Sequence, residues 1–192
     1  MNREFRPGDY SKDKIFFSSD YHFCHAKVIE FDNRPFQDLN EMHETIIRNH
    51  NEVVPENGLL YILGDVAMGK DVASVVTMLN RMNGRKVLIR GNHDVIMMKE
   101  QSFRDCFEMI AEYYRPTLHG HKIAMFHYPI AEWDQAYRGS WHLHGHIHLG
   151  VAPIEPSKFL NVGIMNNNYF PFSFKQIEDY METQPNKSSH HD

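Results

Sequence analysis

The feature that most constrains this chain is a recurring arrangement in which a short apolar run ends at once in a cluster of Asp, His or Asn. Lys14 to Ser19 leads into Asp20-Tyr21-His22, Leu59 to Leu63 into Gly64-Asp65, and Val87 to Arg90 into Gly91-Asn92-His93-Asp94. Trp141 to Leu143 is followed by Gly145-His146-Ile147-His148, and His127-Tyr128-Pro129 makes a fifth cluster. Short apolar runs bounded by turn signals read as buried strands. The ends of strands in an open α/β sheet are where functional groups collect. Each strand is therefore expected to deliver nitrogen and oxygen donors into a loop.

On an extended strand end, residues two apart project to the same side, so Asp20 and His22 can reach one ion. The same geometry applies to His146 and His148, although small backbone turns equally aim them at two neighbouring ions. Glycines at 64, 91 and 145 let the backbone turn sharply before the ligands. Imidazole and carboxylate donors suit Mn, Fe or Zn. Cys24 and Cys106, the 2 cysteines, are too few for a disulfide framework or a thiolate zinc site.

Elsewhere the chain alternates strands with helices, which implies an α/β layered domain. Asp38 followed by Glu41 is a capping-box signal, and Leu39, Met42, Ile46, Ile47 and Val53 keep helical spacing, which predicts a helix from about Leu39 to Val53. A second helix is predicted over Val72 to Met82, stopped by Asn83-Gly84. Short apolar runs around His119-Gly120-His121-Lys122 suggest a hairpin between Ile110 and His127. A strand over Phe159 to Val162 and a last helix from Ser173 to about Met181 complete the expected elements.

With 192 residues, one domain over 1–183 is expected, followed by a polar tail over 184–192 predicted to be disordered. No apolar run approaches bilayer length, and Met1 to Asp13 has no apolar h-region, so no membrane association and a cytoplasmic location are expected. The formal charge of −5 argues against an extended nucleic-acid clamp. Two bound dications would cancel most of it and place positive charge at one spot.

Taken in order, Asp-x-His, Gly-Asp, Gly-Asn-His-Asp, a lone His and Gly-His-x-His resemble the calcineurin-like metallophosphoesterase family, over about two-thirds of the chain from Asp20 to His148. The resemblance implies a four-layer α/β/β/α sandwich of two mixed sheets flanked by helices. It implies that Asp20, His22 and His148 hold a first metal, that Asn92, His127 and His146 hold a second, and that Asp65 bridges the two. The expected cofactors are two divalent ions per chain, Mn foremost, with Fe, Zn or Ni as alternatives. The ions would share a hydroxide that attacks phosphorus in line with the leaving oxygen. His93 would contact the phosphate and protonate or electrostatically support the departing alkoxide. Asp94 either orients His93 or caps a local turn.

The chain departs from the protein serine/threonine phosphatases of this kind, which carry Gly-Asp-x-x-Asp-Arg-Gly. Here Gly64-Asp65-Val66-Ala67-Met68-Gly69-Lys70 lacks the second Asp and the Arg. Asp20-Tyr21-His22-Phe23-Cys24-His25 with Asn33-Arg34-Pro35-Phe36 looks instead like the small phosphoesterases of bacteria and phages. The expected reaction is hydrolysis of a phosphomonoester or phosphodiester, with a small or nucleotide-like substrate favoured. Its rivals are a nuclease, a structural single-metal site and an inactive protein-binding scaffold. The complete donor set argues against the scaffold.

Other residues carry open readings. Asn92 also reads as a substrate contact. His25 either touches substrate or a neighbouring carboxylate, or caps the following helix. Arg34 is a candidate phosphate fork or a loop anchor. His43 and His50, on the predicted helix, read as a solvated face, and His119 and His121 as a polar hairpin tip. Trp133, Tyr137, Arg138 and Trp141 read as ordinary packing ahead of lining the cleft. His190-His191 belongs to the tail.

Overall fold

A computed structural model of the chain describes residues 5–152 and 154–188. The runs Ile15–Ser18 (β1), Leu59–Ile62 (β2) and Arg85–Ile89 (β3) lie side by side in parallel, Ile15 opposite Leu59 and Leu59 opposite Arg85. Their sequences are nearly all apolar because both faces of this sheet are covered. Ile15, Phe17, Leu59, Tyr61, Val87 and Ile89 enter a central core, while Phe16, Leu60, Ile62 and Leu88 enter an outer one.

Parallel neighbours need a crossover rather than a tight turn. Lys27–Phe31 (α1) and Leu39–Val53 (α2) connect β1 to β2, and Val72–Arg81 (α3) connects β2 to β3. Met42, Ile46, Ile47, Val75 and Leu79 turn into the outer core. The Asp38 side chain accepts from the Glu41 amide at 2.9 Å, which fixes the start of α2 where the sequence predicts it. A short helix, Gln101–Arg104 (α4), leads to Met109–Ala111 (β4) beside β3.

The second sheet comprises Tyr113–Tyr114 (β5), Thr117–Leu118 (β6), His121–Phe126 (β7), Trp141–His144 (β8) and Phe159–Asn161 (β9). β6 and β7 form the expected hairpin, and β7, β8 and β9 run parallel. Alternation assigns the faces. Ile123, Met125, Trp141 and Leu143 meet the first sheet in the central core, whereas Ala124 and Phe159 pack with Trp133 and Ala136 on the other side. Phe172–Ser173 (β10) adds antiparallel to β1, and Phe174–Thr183 (α5) sends Phe174, Ile177 and Met181 into the central core. The result is an α/β sandwich of two five-stranded mixed sheets with α2 and α3 outside the first sheet. A loop containing one 3-10 turn, Ala136–Arg138, covers the outer face of the second.

Two expectations change on folding. His50 does not face solvent. It is fully buried, and its ring is within hydrogen-bond distance of the Asn83 carbonyl at 2.9 Å. His43 is partly buried and accepts from the Cys24 amide at 3.0 Å, because this side of α2 packs on the loop after β1. At the start of the tail, Lys187 pairs with Glu132 at 3.1 Å and lies over the Trp133 ring. The rest of the tail from 189, with His190-His191, lies outside the described residues. His119 and His121 sit at the polar hairpin as expected, against the Tyr10 carbonyl at 2.9 Å and Glu178 at 3.0 Å. Among the described residues, no helix is long and apolar enough to cross a membrane.

The buried His50 makes stability depend on pH. Burial lowers its pKa from 6.5 to about 4, so the folded state prefers the neutral ring. Below pH 6.5 the unfolded chain takes up a proton that the folded chain refuses, and stability is lost as pH falls from 6.5 towards 4. At about 1.4 kcal/mol per pKa unit the loss is about 3 kcal/mol. Denaturant unfolding at pH 7 and pH 4.5 should show a smaller difference for His50→Gln than for the unsubstituted chain. Equal differences would contradict this assignment.

Candidate metal centre

The donors arrive from the C-terminal ends of β1, β2, β3, β7 and β8, and the loops are stitched to one another before any ligand is considered. The Asp20 amide donates to the Gly64 carbonyl at 3.0 Å, the His22 amide to the Asp65 carbonyl at 3.1 Å, and the Gly145 amide to the His127 carbonyl at 2.9 Å. Gly64 has φ of +90°, and a Cβ there would lie 2.6 Å from the backbone of Gly91 and from the ring of His127. Only a residue without a side chain allows the β2 and β3 loops to approach so closely.

The ligands themselves turn the chain. Asp20 (φ 58°), His22 (φ 54°), Asp65 (φ 53°), His146 (φ 70°) and His148 (φ 50°) all occupy the left-handed region. Non-glycine residues visit it infrequently, and such strain gathers at functional sites. Asp20 and His22 do share a cluster, but left-handed turns bring them together rather than an extended strand end.

Two groups of donors result. Asp20, His22 and His148 present ligand atoms within 4.8 Å of one another, and so do Asp65, His127 and His146. Of the two readings open for His146 and His148, the structure places them in different groups. Asn92 lies with the second, its Oδ1 3.1 Å from His127 Nε2. Asp65 lies between the groups, 3.7 Å from His22 Nε2 and 3.3 Å from His127 Nε2. His93 donates its backbone N–H to Asp65 at 2.9 Å, and its half-buried ring lies 4.0 Å from the same carboxylate.

The donor set fits divalent cations. Asp20 and Asp65 are 0 % and 1 % exposed. The ion-pair partners found for them among the described residues are histidine rings, with no Lys or Arg. Buried carboxylates without compensating positive charge are costly. Burial pushes Asp20 upward, as expected for a carboxylate in want of a cation. Burial also acts on Asp65, but hydrogen bonding and charge from His127, with help from His93 and His22, outweigh it and bring this carboxyl down to about 2. Burial, opposed by Asp65, lowers His22 to about 3, so its ring is a neutral donor at ordinary pH. His127 Nδ1 donates to the Leu63 carbonyl at 2.7 Å, which turns Nε2 toward Asn92 and Asp65. Burial opposes it, but hydrogen bonding and charge from Asp65 hold the ring above its usual pKa, so Nε2 becomes a lone-pair donor only where a cation takes the place of its proton.

Two of the expected site residues do other work. Asp94 is fully buried and accepts from the amides of Gly91 (2.8 Å), Val66 (2.9 Å) and Asp65 (3.1 Å). It clasps the β2 loop to the β3 loop, which agrees with the turn-capping alternative, and among the described residues its hydrogen-bond partners do not include the His93 ring. Arg34 is 3 % exposed and is no phosphate fork. Its guanidinium donates to the carbonyls of Tyr21 (2.9 Å) and Asp20 (3.0 Å) and to Asp32 (3.1 Å). His25 does not cap α1 with its side chain, since that end has no side-chain cap. Its ring stands 3.4 Å from His22 Nδ1 and edge-on to exposed Phe31. Trp133 and Trp141 are core, and Tyr137 is exposed beneath Arg138. The residue missed by sequence reasoning is Asp32, whose carboxylate receives His148 Nδ1 at 2.7 Å.

No family model matches the chain. An uncharacterized protein of Methanocaldococcus jannaschii is 37% identical over 175 residues, covering 88% of this chain and 92% of that protein. The five motifs stand in the family's order, and the fold gathers their donors into two adjacent groups around one carboxylate. The chain is thus of one family with that archaeal protein, and its motifs and paired donor groups resemble those of the calcineurin-like metallophosphoesterases. A solved protein of unknown function from Aquifex aeolicus shares the fold seen here, with a TM-score of 0.68 and 24% identity, over 86% of this chain and 98% of that one. Yfce, a phosphoesterase from E. coli, superposes more loosely on this chain, with a TM-score of 0.43 and 20% identity, over 78% of this chain and 77% of that one.

Proposed function

We propose that the chain is a metal-dependent phosphoric ester hydrolase acting on a small or nucleotide-like phosphomonoester or phosphodiester. The observation that carries the reading is the pair of adjacent donor groups, Asp20-His22-His148 and Asp65-His127-His146, with the His93 ring beside their shared carboxylate. Divalent cations held by these residues and Asn92, with Asp65 common to both and Mn the first candidate, would supply Lewis acidity and an activated water.

The chain's own groups do the rest. His22 offers a neutral nitrogen and Asp65 stays ionised over the working pH range. His93, with 34% of its side chain exposed, can meet an incoming phosphate and give a proton to the leaving oxygen. Exposed rings stand at the site, Phe31 edge-on to His25 and Tyr128 against His127 and His146. This favours a small organic ester over a long polyanion tracked by cations. The cytoplasm remains the proposed location, supported by the two free thiols Cys24 and Cys106.

The full chain should hydrolyse 4-nitrophenyl phosphate or its bis ester with Mn²⁺ present, lose that activity on chelation and regain it when Mn²⁺ returns. A chelated protein that kept its full rate would remove the metal reading. Cyclic nucleotides and oligonucleotides assayed alongside separate the favoured substrate class from a nuclease.

A further inference from the structure

An imidazole ring turns easily about its outer torsion, so a histidine that must present one chosen nitrogen needs a partner for the other. His148 has such a partner in a residue outside every motif. Its Nδ1 lies 2.7 and 2.8 Å from the two oxygens of Asp32, and its Nε2 faces His22 at 3.0 Å and Asp20 at 3.8 Å. Asp32 is held in turn by Arg34, whose Nε and Nη2 donate to one carboxylate oxygen at 3.2 and 3.1 Å. The same guanidinium donates to the backbone carbonyls of Asp20 and Tyr21. One buried fork thus fixes the orienting carboxylate relative to the strand end that carries Asp20.

Resting on the metal reading above, we infer that Asp32, anchored by Arg34, is the positioning residue for the cation site formed by Asp20, His22 and His148. It holds His148 with the proton on Nδ1 and the lone pair of Nε2 aimed at the cation. The two sites are unequal in this respect. His127 in the second group leans on a neutral carbonyl, Leu63, whereas His148 leans on a carboxylate. A carboxylate behind the ring raises the basicity of the coordinating nitrogen, and loss of such a partner typically weakens metal binding 10- to 100-fold.

Calorimetric titration of the metal-stripped full chain with Mn²⁺ tests this. The unsubstituted chain should bind two ions. Asp32→Asn should weaken one site by about 10- to 100-fold and leave the other unchanged, and Asp32→Glu should recover part of the loss. Unchanged affinity at both sites, or an equal loss at both, would overturn the assignment.

A second readout needs no Asp32 variant. In the unsubstituted chain loaded with diamagnetic Zn²⁺, ¹⁵N spectra of the ring nitrogens, assigned with His148→Gln, should show a proton on His148 Nδ1 and coordination through Nε2. Coordination through Nδ1 would refute the inference while leaving the metal reading intact. If no histidine nitrogen of the unsubstituted chain responded to Zn²⁺, the metal reading itself would fail.

Discussion

Asp65→Asn is expected to lower hydrolysis of bis(4-nitrophenyl) phosphate by about a thousandfold and to reduce bound Mn²⁺ from two ions per chain to at most one. Asp65 is the carboxylate nearest to both donor groups, within 3.7 Å of His22 Nε2 and 3.3 Å of His127 Nε2. The amide keeps an oxygen that can still accept the His93 backbone N–H, a bond of 2.9 Å in the native chain. It loses the charge and the second oxygen donor needed to bridge two cations. Loss of a group shared by both ions corresponds to about 4 kcal/mol of the barrier, at about 1.4 kcal/mol per tenfold in rate. Measured kcat/KM together with the Mn²⁺ count decides it. A variant with the native rate and two bound ions would show that Asp65 bridges nothing.

His93→Ala should fail differently. Its ring is partly exposed and outside the hydrophobic cores, so thermal stability and Mn²⁺ stoichiometry should stay as they are. Turnover should fall by about 100- to 10,000-fold, the usual range for a positioned general acid. The loss should depend on the leaving group. 4-Nitrophenolate departs without much help from a proton, whereas phenolate or an alkoxide needs one, so phenyl phosphate should suffer more than 4-nitrophenyl phosphate. Equal losses on the two esters would mean that His93 only binds phosphate. No loss would remove it from the reaction.

The fold was legible wherever local pattern and tertiary demand coincide. The apolar runs that became β1, β2 and β8 are buried on both sides or alternate cleanly, and Asp38 and Ser173 cap helices where the sequence says they should. The short edge elements β4, β5 and β10 were not legible, because two or three residues carry too little periodicity to separate strand from loop. The same division runs through the site. Which residues meet followed from motif order, but how they meet did not. The left-handed backbone at Asp20, His22, Asp65, His146 and His148 is imposed by loop-to-loop hydrogen bonds that no local pattern records.

Partners distant in sequence explain the remaining surprises. Asp94 is fully spent on amides that include Asp65 and Val66, almost thirty residues earlier, and His50 is buried against Asn83. Arg34 looks like a phosphate fork until the carbonyls of Asp20 and Tyr21 are seen to occupy its donors. Asp32 had no local signal beyond its place two residues before Arg34, and its partner His148 lies over a hundred residues away.

On the metal reading, these loops cage two cations around Asp65. Anomalous diffraction from crystals of the full chain grown with Mn²⁺ and recorded at the manganese edge tests it most directly. Two peaks about 3.5 to 4 Å apart are expected, one among Asp20, His22 and His148, the other among Asn92, His127 and His146, with Asp65 touching both. A single peak, or manganese bound elsewhere while these side chains remain without it, would show that Asp65 does not join two cations.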